Sequence, residues 1–154
     1  MLIFLDIDGV MVPAKSWKRP EILGDGFPAF SSKAISVLNS LLHEDTTIVL
    51  TSSHKANYGI EEWKRIFKSR GLEVDQLITL KENVGRFTRK QEIVCWFKDQ
   101  TVNQRFIIID DDSSLCELPP ALKAHWIYTS PSIGLCDEHI AEINRILQID
   151  LIGV

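Results

Sequence analysis

Residues 2–10 read Leu-Ile-Phe-Leu-Asp-Ile-Asp-Gly-Val. The run begins with four consecutive apolar residues, Leu2 to Leu5, and then turns acidic at Asp6 and Asp8. A short continuous apolar run is the signature of a strand covered on both faces, the kind found inside a parallel sheet. The acids therefore fall at the strand's carboxyl end, and Gly9 allows a sharp turn directly after them.

The same pattern recurs outward along the chain. Residues 47–51 (TIVLT), 76–80 (QLITL), 105–110 (RFIIID) and 124–129 (AHWIYT) read as four further strands. Helical spacing separates them. Residues 31–43 place Ala34, Ile35, Leu38, Leu41 and Leu42 on one stripe, with Ser31 or Ser32 as the cap. Residues 60–70 carry Ile60, Trp63 and Phe67 and stop at Gly71. Residues 88–99 open with a Thr88/Gln91 capping box and present Ile93, Trp96 and Phe97. A closing helix covers 137–147, capped by Asp137. Buried strands alternating with helices predict an α/β fold: a doubly wound, parallel, five-stranded Rossmann-like sheet with helices on both faces.

The composition agrees with a single domain over residues 1–154. Hydrophobic residues make up 45% and charged residues 25%, with a formal net charge of -4. A chain of this length buries roughly 68–70% of its unfolded surface, so it needs no disulfide or structural metal. Disordered, collagen-like and disulfide-scaffold classes are excluded. Mild acidity is no footprint of non-specific nucleic-acid binding. Cys95, Cys116 and Cys136 are odd in number and widely spaced, and read as incidental thiols in a reducing compartment. The apolar start is too short for a signal core or a membrane span, so a cytoplasmic protein without a membrane partner is expected.

In doubly wound sheets ligands bind beyond the carboxyl ends of the strands. Three of those ends are polar here: Asp6-Ile7-Asp8-Gly9, Thr51-Ser52-Ser53 and Asp110-Asp111-Asp112. Clustered carboxylates repel one another unless a cation joins them. Oxygen ligands without a neighbouring Cys or His pair select Mg²⁺ over zinc. Asp6 and Asp8, two apart, point to the same side and can flank one reacting centre, one attacking while the other moves a proton. A carboxylate nucleophile beside Mg²⁺ suits phosphoryl transfer through an aspartyl-phosphate. Thr51 offers its hydroxyl and backbone N–H to the phosphoryl oxygens, and Lys90 a positive charge.

FLDIDGV at 4–10, IVLTSS at 48–53, a Lys before the next strand and FIIIDDD at 106–112 resemble the four motifs of the haloacid dehalogenase (HAD) superfamily, in the family's order. More narrowly, Trp17 in the first loop, SSHK, RKQEI and IIIDDD are similar to the HAD domain of Swiss-Army-knife RNA repair proteins. The resemblance implies that Asp6 is the nucleophile and a Mg²⁺ ligand. It makes Asp8 the general acid/base, with its main-chain carbonyl on the metal. Thr51, with Ser52, holds the phosphoryl group, Lys90 neutralises charge, and Asp111 is the downstream metal ligand with Asp110 in or beside its shell. Arg89 is a second candidate for the Lys90 role, and Asp112 leaves the metal ligand's register open by one residue. Dehalogenases of the superfamily lack the second Asp, so its presence points to phosphate monoesters.

Neither the loop over 10–30 nor that over 81–87 is long enough to fold a cap domain. A capless HAD-like fold has an open site, which suits a large substrate such as a nucleotide or nucleic-acid end; oligomerisation could supply a cap in trans. Trp17 and Arg19, in a loop with Lys15 and Lys18, are candidates to stack on a base and meet phosphate. His54 follows the second motif and could face the same cleft. Two other readings use the same pocket. A phospho-accepting receiver module needs an Asp after the third strand, where Thr79-Leu80-Lys81 stand. A non-catalytic binding module fits poorly with an intact Asp6/Asp8 pair.

Overall fold

Five strands lie parallel in one sheet, in the order β3-β2-β1-β4-β5. The computed structural model describes residues 1–15 and 17–152, the last four by backbone only. The elements are β1 (Leu2–Leu5), α1 (Ser32–Leu41), β2 (Thr47–Leu50), α2 (Ile60–Ser69), β3 (Gln76–Thr79), α3 (Arg89–Asp99), β4 (Phe106–Asp110), α4 (Pro120–Lys123), β5 (Trp126–Tyr128) and α5 (Ile140–Ile152). Three 3₁₀ turns join them, at Lys55–Asn57, Ser113–Glu117 and Asp137–His139. No helix among the described residues is long and apolar enough to cross a membrane.

The two-residue period of the strands divides the core into two layers. Ile3, Leu5, Ile48, Leu50, Ile107 and Ile109 point to one side and pack with α1, α2 and α5 through Leu38, Trp63, Phe67 and Ile143. Leu2, Phe4, Val49 and Ile108 point to the other and meet Ile93 of α3 with Leu115 and Leu118. The doubly wound, two-faced sheet is thus present, and no cap domain is inserted among the described residues.

Most expected elements occur within a residue or two. Ser31 is the cap of α1, its side chain accepting from Ala34 N. Thr88 and Gln91 form the capping box of α3. Two expectations are corrected. The strand expected over 124–129 shrinks to Trp126–Tyr128, because Pro120 opens a short helix that Ala124 ends. Asp137 does not cap the last helix: it begins a 3₁₀ turn whose cap is Cys136, and α5 runs on to Ile152.

The register positions the functional residues. Leu5 pairs with Leu50 on one side and Ile109 on the other. The next residues, Asp6, Thr51 and Asp110, therefore stand in a row one step beyond the apolar sheet. By the same alternation they continue the Phe4, Val49 and Ile108 face, which is the α3 side.

Candidate active site

Asp6, Thr51 and Asp110 are buried although polar, at 5%, 0% and 0% exposure. Arg89, the first residue of α3, reaches into the row they form. Its Nη1 lies 2.5 Å from Asp110 Oδ2, 3.0 Å from Thr51 Oγ1 and 3.5 Å from Asp6 Oδ1. Asp111 completes the cluster: one oxygen each from Asp6, Asp110 and Asp111 lie within 4.8 Å of one another. Gly9 makes this approach possible. Its φ is +80°, and a Cβ there would overlap the Asp111 carboxylate, so only glycine fits.

The electrostatics are unbalanced. Burial, then the Asp110 charge, pushes Asp6 up to about 9 against the pull of Arg89. Burial also raises Asp110, again opposed by Arg89. Burial pulls Arg89 down, but Asp110 and Asp6 outweigh it and hold the guanidinium above its usual value. One guanidinium does not compensate three carboxylates. A divalent cation among Asp6, Asp110 and Asp111 would restore the charged form of Asp6, and an all-oxygen donor set fits Mg²⁺.

Asp8 stands in a different environment. Its side chain is 55% exposed, and its Oδ2 lies 2.8 Å from His54 Nε2. Asn57 Nδ2 sits 3.3 Å from the other ring nitrogen, and the Phe27 ring meets the imidazole edge-on at 5.6 Å. His54 is thus fixed against Asp8.

The remaining sequence candidates divide. Thr51 keeps its hydroxyl at the site, but its N–H donates to Leu5 O at 3.0 Å, so the expected backbone donor belongs to the sheet. Ser52 is fully buried and its Oγ accepts from His54 N, shaping the turn. Lys90 is half-buried, and its N–H donates to Ser114 Oγ; the cation on the carboxylates is Arg89. Asp112 caps the 3₁₀ turn through Ser114 N, which leaves Asp110 and Asp111 in the cluster. Trp17 is 78% exposed, and Arg19 lines a shallow hollow of about 220 Å³ with Lys15 and Lys18.

Some supporting residues had no role assigned from the sequence, although Lys55 and Glu92 stand in the SSHK and RKQEI stretches. Lys55 is buried, with Nζ 2.8 Å from Glu92 Oε2, an ion pair not aligned as a hydrogen bond. Glu92 Oε1 in turn lies 3.9 Å from Arg89 Nε. The pair braces Arg89 from behind. Glu92 follows Arg89 by three residues, the spacing that lets the two meet on one helix face. Thr129 Oγ1 donates to Gly9 O at 2.8 Å, and Trp126 Nε1 donates to Asp110 O at 3.0 Å, tying two motif backbones to β5.

The family model for the HAD domain in Swiss Army Knife RNA repair proteins matches residues 2–140. No curated protein and no solved structure matches the chain. The matched span contains every carboxylate and cation described above.

Proposed function

The chain belongs to the HAD domains of Swiss Army Knife RNA repair proteins, and from that premise and the site's geometry we propose that it hydrolyses phosphate monoesters, with a nucleotide or nucleic-acid end as substrate. One observation carries the reading. Asp6 and Asp8, two residues apart, stand in opposite environments: Asp6 buried against Arg89, Asp110 and Asp111, Asp8 exposed and hydrogen-bonded to His54. Paired carboxyl groups held in unlike environments take unlike roles.

In this reading Asp6 attacks phosphorus, and the bond from phosphorus to the ester oxygen breaks. Asp8 gives its proton to the departing oxygen. Asp8 then takes a proton from the water that hydrolyses the aspartyl-phosphate, which frees Asp6. Arg89 and the Thr51 hydroxyl neutralise and orient the phosphoryl oxygens. Asp6, Asp110 and Asp111 would hold Mg²⁺, with the Asp8 carbonyl, and bound there it would offset the charge of the carboxylates and the phosphoryl group. His54 holds Asp8 in place and also borders the substrate, while Trp17 and Arg19, far more exposed, are left for a nucleic-acid strand. Ser52 serves by shaping the turn that presents Thr51. Lys90, next to Arg89 at the start of α3, is kept as the second candidate for the same charge-neutralising role.

The test is a phosphatase assay in Mg²⁺ with p-nitrophenyl phosphate, mononucleotides and oligonucleotides phosphorylated at the 3′ or the 5′ end. Asp6→Asn is expected to lower turnover on the order of 10⁴–10⁶-fold, as removal of a nucleophile does elsewhere. Wild-type rates in that variant would show the nucleophile to be misassigned.

A further inference from the structure

The segment between β3 and α3 is built with more care than a simple connection requires. Asn83 Nδ2 donates to Phe87 O at 2.7 Å, and Phe87 N donates to Asn83 Oδ1 at 2.8 Å. Between them Arg86 has φ +55°, the one positive value at a non-glycine among the described residues. That conformation is costly for a residue with a side chain. The Phe87 ring lies against Gly85, where an added Cβ would come within 3.3 Å of it. All this holds in place a phenyl ring that stays 49% exposed. The loop does not form core; it presents an aromatic face.

Opposite stands a face of α3 at spacing i, i+3, i+4, i+7: Glu92, Cys95, Trp96 and Asp99. Between loop and helix lies a cavity of about 460 Å³. This falls in the size range of small-molecule sites and is too small for a partner helix. Leu80, Val84, Phe87 and Trp96 supply apolar wall. Trp96 is anchored by its edge-on contact with Phe4, at 5.0 Å between centroids. The charged residues of the lining are Lys81, Glu82, Glu92 and Asp99; Glu92 is already paired with Lys55, which leaves Glu82 and Asp99 against Lys81. Such a cavity disfavours an anion and favours a flat, neutral ring bearing N–H donors.

Glu92 connects this cavity to the carboxylate cluster. It lines the cavity and also contacts Arg89 and Lys55. From Arg89 to Trp96 is seven residues, about 10 Å along a helix axis, which is the reach of one nucleotide.

We propose that this cavity takes the base of a nucleotide whose phosphate lies at Asp6. The base stacks on Trp96 and Phe87, and its exocyclic amine donates to the carboxylates of Glu82 or Asp99. The proposal rests on the phosphatase reading for its substrate, but its test does not. Free adenosine, cytidine, guanosine and uridine, none carrying phosphate, are titrated against the full chain by tryptophan fluorescence and ligand-observed NMR. The amine-bearing nucleosides are expected to bind more tightly than uridine. Cys95→Tyr, which fills the cavity from an exposed position, is expected to weaken binding about tenfold, the scale of one lost base–aromatic stack. Phe87→Ala tests the other wall with little risk to the core and is expected to weaken binding similarly. In turnover, Cys95→Tyr raises KM for a mononucleotide about tenfold and leaves p-nitrophenyl phosphate unchanged. Nucleoside binding without any phosphatase activity would support the cavity and overturn the phosphatase reading. Absence of nucleoside binding at millimolar concentration, or binding unaltered in both variants, would overturn the base site.

Discussion

Two arginines are sunk into this protein, and their surroundings differ in kind. Arg70, at the end of α2, donates to Asp25 Oδ2 at 2.7 Å, to Ile66 O at 2.8 Å, to Pro28 O at 2.9 Å and to Phe27 O at 3.0 Å. Its guanidinium lies 4.9 Å from the centre of the Phe30 ring. Every part of the charge is answered, and hydrogen bonding by Arg70 draws Asp25 down to about 2. Arg89 has the reverse problem. It faces Asp110 and Asp6, and Asp6 is nonetheless pushed up to about 9. The first arrangement is a finished joint that pins the loop after β1 to α2. The second gathers three carboxylates around one guanidinium. A site kept out of balance in this way is ready for a charged ligand, whereas a balanced one serves the fold.

Removing each arginine tests that contrast most strongly. Arg70→Met is expected to cost about 1–3 kcal/mol in denaturant unfolding, because two loop carbonyls lose their partner while Asp25 stays partly solvated. Its phosphatase rate, measured where it is folded, is expected to stay near wild type. Equal loss of activity and stability would erase the distinction. Arg89→Met should lower the rate of the folded protein about 10²–10³-fold, the scale of one lost oxyanion donor, beyond whatever stability is lost when buried Asp110 is stripped of its partner.

The pH dependence of stability tests the same contrast without a change to either arginine. In chelator, folded Asp6 keeps its proton up to about 9 while the unfolded chain releases it near 3.8. Between these values the folded state binds more protons, so this contribution to stability falls as pH rises from about 4 to about 9. Mg²⁺ should flatten the decline, and Asp6→Asn should remove it. Asp25 runs the other way, being lowered to about 2. Its contribution is present above about pH 4 and is lost as pH falls toward 2. Melting temperatures across pH, with and without Mg²⁺, separate the two; a metal-free profile flat from 4 to 9 would contradict the charge imbalance at Asp6.

Much of the fold was legible because local signals agreed with one another. The apolar runs at 2–5, 47–50 and 106–109 could only be buried strands, and the Ser31 and Thr88 caps set where α1 and α3 begin. The weak signals failed where they competed. Around 120–129 a proline turn displaced part of a strand, and near 137 an Asp suited to capping was drawn into a 3₁₀ turn by the Cys136–His139 contact.

The site divides along the same line. Sequence alone determined that Asp6, Thr51 and Asp110 stand together, since equal apolar runs bring their strand ends level in a parallel register. It also determined that an acid follows two residues after Asp6, in a turn that requires Gly9. Only the tertiary structure shows Arg89, and not the adjacent Lys90, against Asp110 and Asp6, because adjacent helix positions differ by about 100° in direction and the packing of α3 aims one of them at the sheet. Only the tertiary structure put Asp112 on a cap and Asp111 in the cluster, and brought His54 onto Asp8 across 46 positions of chain. Register is a property of one strand and its pattern. Where a long side chain ends depends on what else is packed around it.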